Sequence, residues 1–234
     1  EGGMFEFLMG IIHATQDLAC AFKPNFGFFG AQGRDGLEYL RSITEAIGDL
    51  PVILDFKAGD IGNSAEQYAK MAYEEFKADA VTVNPLMGED AVAPFLEYGD
   101  GYTFLLCLTS NPGSADFQRL DIGTGPLYHR IAEKAVAWSE IGSCGLVVGA
   151  THPDELAGVR EIAPDLPILV PGVGAQGGDA KAVVKAGLDG NGGGILVNAS
   201  RSVLYASLGE DYAEAARKAA EELRDTLQAA RQEA

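Results

Sequence analysis

Short apolar runs alternate along this chain with longer stretches in which apolar residues recur every three or four positions. The stretch GLEYLRSITEAIGDL, for example, places Leu37, Leu40, Ile43 and Ile47 on one face of a helix. The alternation predicts parallel strands joined by helical crossovers. The predicted strands are ACAFKPNFGFF (19–29), PVILDFK (51–57), AVTVNPL (80–86), YTFLLCLTS (102–110), CGLVVGA (144–150), LPILVPGVG (166–174) and GGILVNAS (193–200).

The apolar runs indicate strands that are buried on both faces. Continuous burial of this kind is typical of two α/β architectures, the doubly wound sheet and the closed (β/α)8 TIM barrel. Seven runs favour the barrel, and a first strand is expected upstream of Glu1, because the chain opens with a helical pattern in EGGMFEFLMGIIHATQD. No linker or shift in composition divides the chain, so we predict a single (β/α)8-barrel catalytic domain over residues 1–234.

The charge balance limits the classes of partner. Seventeen basic and 34 acidic side chains give a formal net charge of −17, which argues against general affinity for nucleic acid or an anionic membrane. No apolar run is long enough to span a bilayer. An anionic small molecule would therefore be met by a few local cations and backbone N–H groups.

The cysteines favour a reducing compartment. Cys20, Cys107 and Cys144 are odd in number and lie in apolar segments, so we expect buried, reduced thiols in a cytoplasmic protein. The three histidines are scattered and give little support to a zinc or haem site.

Charged residues crowd the end of the run PVILDFKAGD. Asp55 and Lys57 are two positions apart and should share one face of a strand, and Asp60 follows in the turn. Barrel enzymes place reactive groups at the carboxyl ends of strands, and flanking carboxylates would keep the lysine charged, as a proton donor requires. A structural ion-pair cluster explains these three residues about as well.

A second group of polar positions predicts a phosphate site. The loop VPGVGAQGGD (170–179) has four glycines that permit close backbone approach to an anion, and Arg201 follows the next strand in NASRS. The glycines alone would suit an ordinary tight turn about as well. Arg201 sharpens the prediction, because in barrels the loops after the last two strands commonly bind phosphate. Other strand ends carry Lys23 and Asn25 in FKPN, and Ser110 and Asn111 in LTSNPGS.

Together these motifs resemble a known enzyme family. DFKAGDIGNSA resembles the Asp-x-Lys-x-x-Asp-Ile signature of the orotidine 5'-phosphate decarboxylases, and TSNPGS, LVPGVGAQGGD and NASRS resemble later motifs of that family in the same order. The resemblance runs from about Phe22 to Tyr205 and points to the longer subgroup of the family. It implies conversion of orotidylate to uridylate and CO2 in de novo pyrimidine biosynthesis, with no metal or organic cofactor.

The resemblance also implies roles for the charged residues. Lys57 would protonate C6 as the carboxylate leaves, Asp55 would lie near that carboxylate, and Lys23 would link the ribose end to the charged array. Asp60 and Ile61 would be supplied to the site of a neighbouring subunit, so the family pattern implies a homodimer.

The remaining implied residues bind substrate. Ser110 would contact the pyrimidine, and Gln176 and Arg201 the phosphate. Ser64 stands where the family usually has Thr, which preserves a hydroxyl. The further implied contacts are Asn111, Pro171 and Gly177.

Three alternatives remain open from the sequence. A magnesium-dependent sugar-phosphate decarboxylase or aldolase of the same barrel superfamily shares the Asp-x-Lys-x-x-Asp pattern. A Schiff-base aldolase would need a lowered lysine pKa, whereas flanking carboxylates would raise it. A non-catalytic barrel that binds a phosphate ligand would keep Arg201 and the glycine-rich loop.

Overall fold

A computed structural model describes residues 3–173 and 178–234. The described residues form two compact units, one drawn from Glu1–Thr103 and Arg201–Glu222 and the other from Phe104–Ser200 and Leu223–Ala234. The single-domain organisation stays a prediction.

Helices and short strands alternate along the chain, as the sequence pattern predicts. The strands are β1 (Ile53–Ala58), β2 (Ala80–Val83), β3 (Tyr102–Leu108), β4 (Cys144–Val148), β5 (Ile168–Pro171) and β6 (Ile195–Asn198). The α-helices are α1 (Gly3–Thr15), α2 (Phe26–Gly30), α3 (Gly33–Ile47), α4 (Gly62–Lys70), α5 (Glu89–Leu96), α6 (Ser114–Phe117), α7 (Leu127–Trp138), α8 (Pro153–Ile162), α9 (Ala180–Gly187), α10 (Arg201–Leu204) and α11 (Tyr212–Glu233). A π-helical turn, Met71–Glu75, extends α4, and a 3-10 turn, Pro85–Met87, follows β2.

The first unit is built on the parallel pair β1 and β2. Strand β2 is buried at every position, which agrees with the prediction of strands covered on both faces. Helix α3 buries Leu40, Ile43 and Ile47, while Leu37, expected on the same face, is 37% exposed at its edge. The fully buried core side chains of this unit include Leu40, Leu54, Val81, Val83, Val92 and Phe95.

The second unit contains the parallel strands β4, β5 and β6. Leu146 pairs with Ile168, and Ile168 pairs with Ile195, so the three strands lie in register side by side. Helix α7 buries a stripe at helical spacing, consisting of Tyr128, Ile131, Ala132, Ala135 and Trp138. No helix in the described ranges combines the length and hydropathy of a bilayer-spanning segment.

Residues 19–29, predicted as a strand, do not form a continuous strand in the structure. They make only two isolated parallel bridges, from Phe22 to Val52 and from Asn25 to Asp55. Pro24 has no N–H to donate, and the Asn25 side chain accepts a hydrogen bond from Gly27 N at 3.0 Å, which begins helix α2. The apolar residues after Asn25 therefore continue as a helix.

None of the three cysteines forms a disulfide, and two of them are buried. Burial raises the pKa of Cys107 to about 12 and that of Cys144 to about 11. Cys20 is exposed, so the prediction of burial was wrong there, because this residue lies in the bend that precedes the first bridge.

A buried arginine connects the loops at the amino ends of β5 and β6. Arg160 on α8 is 8% exposed, and burial lowers its pKa, with Asp189 and Asp165 opposing that shift. Its guanidinium donates to five carbonyl oxygens, those of Gly187 (2.9 Å), Ala163 (2.9 Å), Pro164 (3.1 Å), Leu166 (2.7 Å) and Gly194 (2.8 Å). One planar group therefore satisfies backbone acceptors from several loops at once.

We expect Arg160→Lys to lower the free energy of unfolding by about 2–3 kcal/mol, because an ammonium cannot reach all of these carbonyls and leaves some unsatisfied. Arg130→Lys is the matched control, since Arg130 is exposed and pairs with Glu133. Urea unfolding of both variants measures the difference. Equal stability of the two variants would contradict this role of Arg160.

Candidate active site

The candidate site is organised around the carboxylate of Asp55 on β1, which is 8% exposed. Its Oδ2 accepts hydrogen bonds from Lys23 Nζ and Asn25 Nδ2, both at 2.8 Å. Its Oδ1 contacts Lys57 Nζ and accepts from Thr82 Oγ1 at 3.1 Å. Five polar side chains of the first unit therefore form one connected network, and the prediction that Asp55 and Lys57 share a face is confirmed.

Backbone pairing brings Lys23 and Asn25 to Asp55. Ile53 N donates to Phe22 O, and Asp55 N donates to Pro24 O, each at 2.8 Å. The segment thus runs beside β1, and the alternation of side chains along an extended chain turns Lys23 and Asn25 toward the Asp55 carboxylate.

Electrostatics keep Asp55 ionised. Burial favours its neutral form, but the charge of Lys23 and the hydrogen bonds from Lys23 and Lys57 outweigh burial and hold the pKa of Asp55 well below its usual range. Two ammonium groups face one carboxylate here, which leaves one positive charge in excess. The Lys57 side chain is 47% exposed, so that charge is accessible to an anionic ligand.

Asp60, Ile61 and Ser64 lie beyond this network in the same unit. Asp60 Oδ1 accepts from Ile61 N at 2.8 Å, and among the described residues Asp55 is the carboxylate that forms an ion pair with Lys57. The expectation of a carboxylate on each side of Lys57 is therefore not met within one chain. Ile61 precedes α4 and is 54% exposed, and Ser64 is exposed in the first turn of that helix.

Ser110 and Asn111 follow β3 in the second unit. Gln118 holds this strand end, because its Oε1 accepts from Thr109 N at 2.7 Å, and Thr109 Oγ1 donates to Asn111 Oδ1 at 2.6 Å. Ser110 lies so close to Gly149 that a Cβ at position 149 would approach its backbone N to 2.8 Å. Glycine at this point is therefore required for Ser110 to occupy its position.

The residues predicted to bind phosphate are only partly within the described ranges. Pro171 ends β5, its carbonyl accepts from Ala150 N at 2.9 Å, and Gly172 has a φ of +101°. Arg201 is exposed at the start of α10 in the first unit. Gln176 and Gly177 lie outside the described residues.

The potential for metal binding can be judged from the arrangement of ligand side chains. Within residues 3–173 and 178–234, no group of three or more His, Cys, Asp or Glu side chains is arranged to hold a metal ion.

Sequence reasoning missed one member of the network, Thr82. The run AVTVNPL predicts an apolar strand, and the single hydroxyl within it is its one signal of a polar role. The sequence places Asn25 at a strand end and does not predict its contact with Asp55.

The low pKa of Asp55 predicts a pH dependence of stability. Between the pKa of the folded state and that of the unfolded state, the unfolded chain binds more protons, so the free energy of unfolding falls as the pH falls. With an ordinary unfolded pKa of about 3.9, we expect Asp55 to account for a loss of about 1 kcal/mol between pH 5 and pH 3.

The measurement is urea unfolding of the wild type and of Asp55→Asn at both pH values. The variant should be less stable at pH 5 and should lose about 1 kcal/mol less than the wild type on acidification. Parallel losses in the two proteins would show that Asp55 does not titrate with folding.

The chain is similar to one known protein family over most of its length. Residues 5–219 match the model of the orotidine 5'-phosphate decarboxylase / HUMPS family. The orotidine 5'-phosphate decarboxylases of Azoarcus sp. (strain BH72) and Dechloromonas aromatica (strain RCB) are each 54% identical to this chain, covering 97% and 96% of it and 86% and 84% of their own lengths.

A solved structure of Leishmania donovani OMP decarboxylase superimposes with a TM-score of 0.87 at 41% identity, covering 96% of this chain and 88% of that one. The comparison confirms the α/β fold class of the (β/α)8 barrel. The chain therefore belongs to the orotidine 5'-phosphate decarboxylase / HUMPS family.

Proposed function

We propose that this chain is a carboxy-lyase that converts orotidine 5'-phosphate to uridylate and CO2 in pyrimidine biosynthesis. The observation that carries the proposal is the Lys23–Asp55–Lys57 network, in a chain 54% identical to orotidine 5'-phosphate decarboxylases. The network supplies an ionised carboxylate and an accessible ammonium on neighbouring positions of one strand.

Lys57 is the proton donor in this proposal. The bond between C6 and the carboxyl carbon breaks, CO2 leaves, and the electron pair that stays on C6 takes a proton from the Lys57 ammonium. The contact with Asp55 holds the ammonium in one direction before the reaction.

Asp55 and Lys23 shape the environment of the reacting carboxylate. A substrate carboxylate placed beside ionised Asp55 is repelled in the ground state, and that repulsion disappears as neutral CO2 forms. Lys23 is only 12% exposed and compensates the Asp55 charge, so the carboxylate stays ionised although it is buried.

Binding energy from the rest of the nucleotide would hold the substrate against this repulsion. We assign the pyrimidine contact to Ser110 and phosphate binding to Gln176 and Arg201. The support is their sequence motifs and, for Ser110, the close approach of Gly149 that sets its position. Further proposed contacts are Ser64, Asn111, Pro171 and Gly177.

We also assign a homodimer, in which Asp60 and Ile61 complete the partner's site. Two observations support this assignment: Asp60 makes no ion pair with Lys57 among the described residues of its own chain, and Ile61 is 54% exposed. A single catalytic domain over residues 1–234 and a cytoplasmic location complete the proposal, the latter supported by three cysteines that form no disulfide.

Lys57→Ala should lower kcat by roughly 10³-fold or more, because it removes the proton donor, while uridylate binding stays near the wild-type value. Lys70→Ala is the matched control, since Lys70 is an exposed lysine on α4 that pairs with Glu74. The ultraviolet decay of orotidylate, followed with excess chelator, measures turnover.

Substantial turnover by Lys57→Ala would refute the role of Lys57. Activity that chelator abolishes would favour the magnesium-dependent alternative. A wild-type chain that binds uridylate but does not consume orotidylate would instead be a phosphate-ligand-binding barrel.

Mixing two inactive variants tests the shared site. If Asp60 serves the partner, random dimers of Lys57→Ala and Asp60→Asn should recover about a quarter of the wild-type activity, because half of the dimers contain one intact site. Each variant mixed with itself is the control. If both residues serve the same subunit's site, no dimer has an intact site and no activity returns.

A further inference from the structure

We infer that the buried hydroxyl of Thr82 is a positioning residue for the reaction, which holds Lys57 and Asp55 in their working arrangement. The inference rests on the proposed function for its catalytic part. Its structural part rests on three hydrogen bonds made by one oxygen atom.

Strand β1 is irregular between Leu54 and Ala58. Leu54 pairs with Val81, and Ala58 pairs with Val83. Between these two pairs β1 is four positions long and β2 only two, so β1 contains extra residues. Extra residues of this kind form a bulge, which removes backbone groups from the ladder and redirects side chains. The N–H groups of Phe56 and Lys57 lie within this bulge.

Lys57 has an unusual backbone conformation. Its φ is +52°, in the left-handed region that non-glycine residues rarely adopt. Such a conformation persists only where surrounding contacts hold it. On the opposite side of the bulge the ring of Phe56 packs against Phe26 and Tyr68, with centroids 4.9 and 5.6 Å away.

Thr82 supplies the hydrogen bonds that the ladder lacks. Its Oγ1 accepts from Phe56 N at 3.0 Å and from Lys57 N at 3.1 Å. Its hydroxyl proton is donated to Asp55 Oδ1 at 3.1 Å. One hydroxyl has one donor and two acceptor positions, so its hydrogen-bonding capacity is fully used.

The contacts of Thr82 also affect the Lys57 ammonium. Lys57 is held at both ends, at its backbone N–H by Thr82 and at Nζ by Asp55 Oδ1, the same oxygen that Thr82 binds. Thr82 is 2% exposed, so water has little access to replace its hydroxyl. Loss of the hydroxyl would therefore make the backbone of the bulge more mobile. It would also make the direction of the Lys57 ammonium less well defined.

Thr82→Val removes the hydroxyl and keeps the shape of the side chain. We expect kcat for orotidylate to fall roughly 10- to 100-fold, as for other small misplacements of reacting groups, while the Kd of uridylate changes little. Thr82→Ser, which restores the hydroxyl, should recover most of kcat.

A matched control separates positioning from general destabilisation. Thr103→Val also removes a buried hydroxyl from a strand of this unit, but Thr103 contacts Tyr73 and not the charged network. It should reduce stability and leave kcat near the wild-type value. Wild-type kcat in Thr82→Val, or an equal loss of kcat in Thr103→Val, would overturn the inference.

Hydrogen exchange provides a readout that does not depend on activity. The Lys57 amide should exchange faster in Thr82→Val than in the wild type or Thr103→Val, because it loses its acceptor. Unchanged exchange would overturn the inference even if kcat fell. An inactive wild type would refute the proposed function, and amide exchange would then decide alone whether Thr82 holds Lys57.

Discussion

The first unit depends on keeping one buried carboxylate ionised. An isolated, buried Asp55 charge would be energetically costly. Both carboxylate oxygens of Asp55 are bound by polar side chains, those of Lys23, Asn25, Lys57 and Thr82. The arrangement joins elements that are distant in sequence: the segment before α2, strand β1 and strand β2. The same interaction that stabilises this part of the fold also directs the only member of the network that is substantially exposed, Lys57.

The two units satisfy buried charge in different ways. In the first unit, Asp55 is paired with Lys23 and Lys57, so the net charge of the network changes when the Asp55 carboxylate takes up a proton. In the second unit, Arg160 is surrounded by backbone carbonyl dipoles and stays protonated, because its pKa, although lowered by burial, is that of a guanidinium. The loops at the amino ends of β5 and β6 are therefore secured by a group that does not titrate in the ordinary range.

Much of this arrangement could be predicted from the sequence. The alternation of apolar runs and helical periodicity gave the order of strands and helices after residue 50, because strands buried on both faces have a strong sequence signal. The two-residue spacing of Asp55 and Lys57 predicts that their side chains lie on the same face. The segment 19–29 was misjudged because Asn25 begins a helix inside an apolar run, and local capping outweighs hydrophobicity there. The role of Thr82 could not be predicted, because it depends on a bulge in β1. A bulge arises from the way two strands pair, and the sequence pattern of neither strand shows it.

The left-handed backbone of Lys57 has a consequence for how this position can evolve. A φ of +52° favours glycine, whereas the proposed chemistry requires a long cationic side chain. Local stability and activity therefore select different residues at position 57, a trade-off confined to a single site. The substitution that best relieves the strain is also the one that removes the ammonium, so a change that stabilises the protein and keeps its activity must lie at a position other than 57.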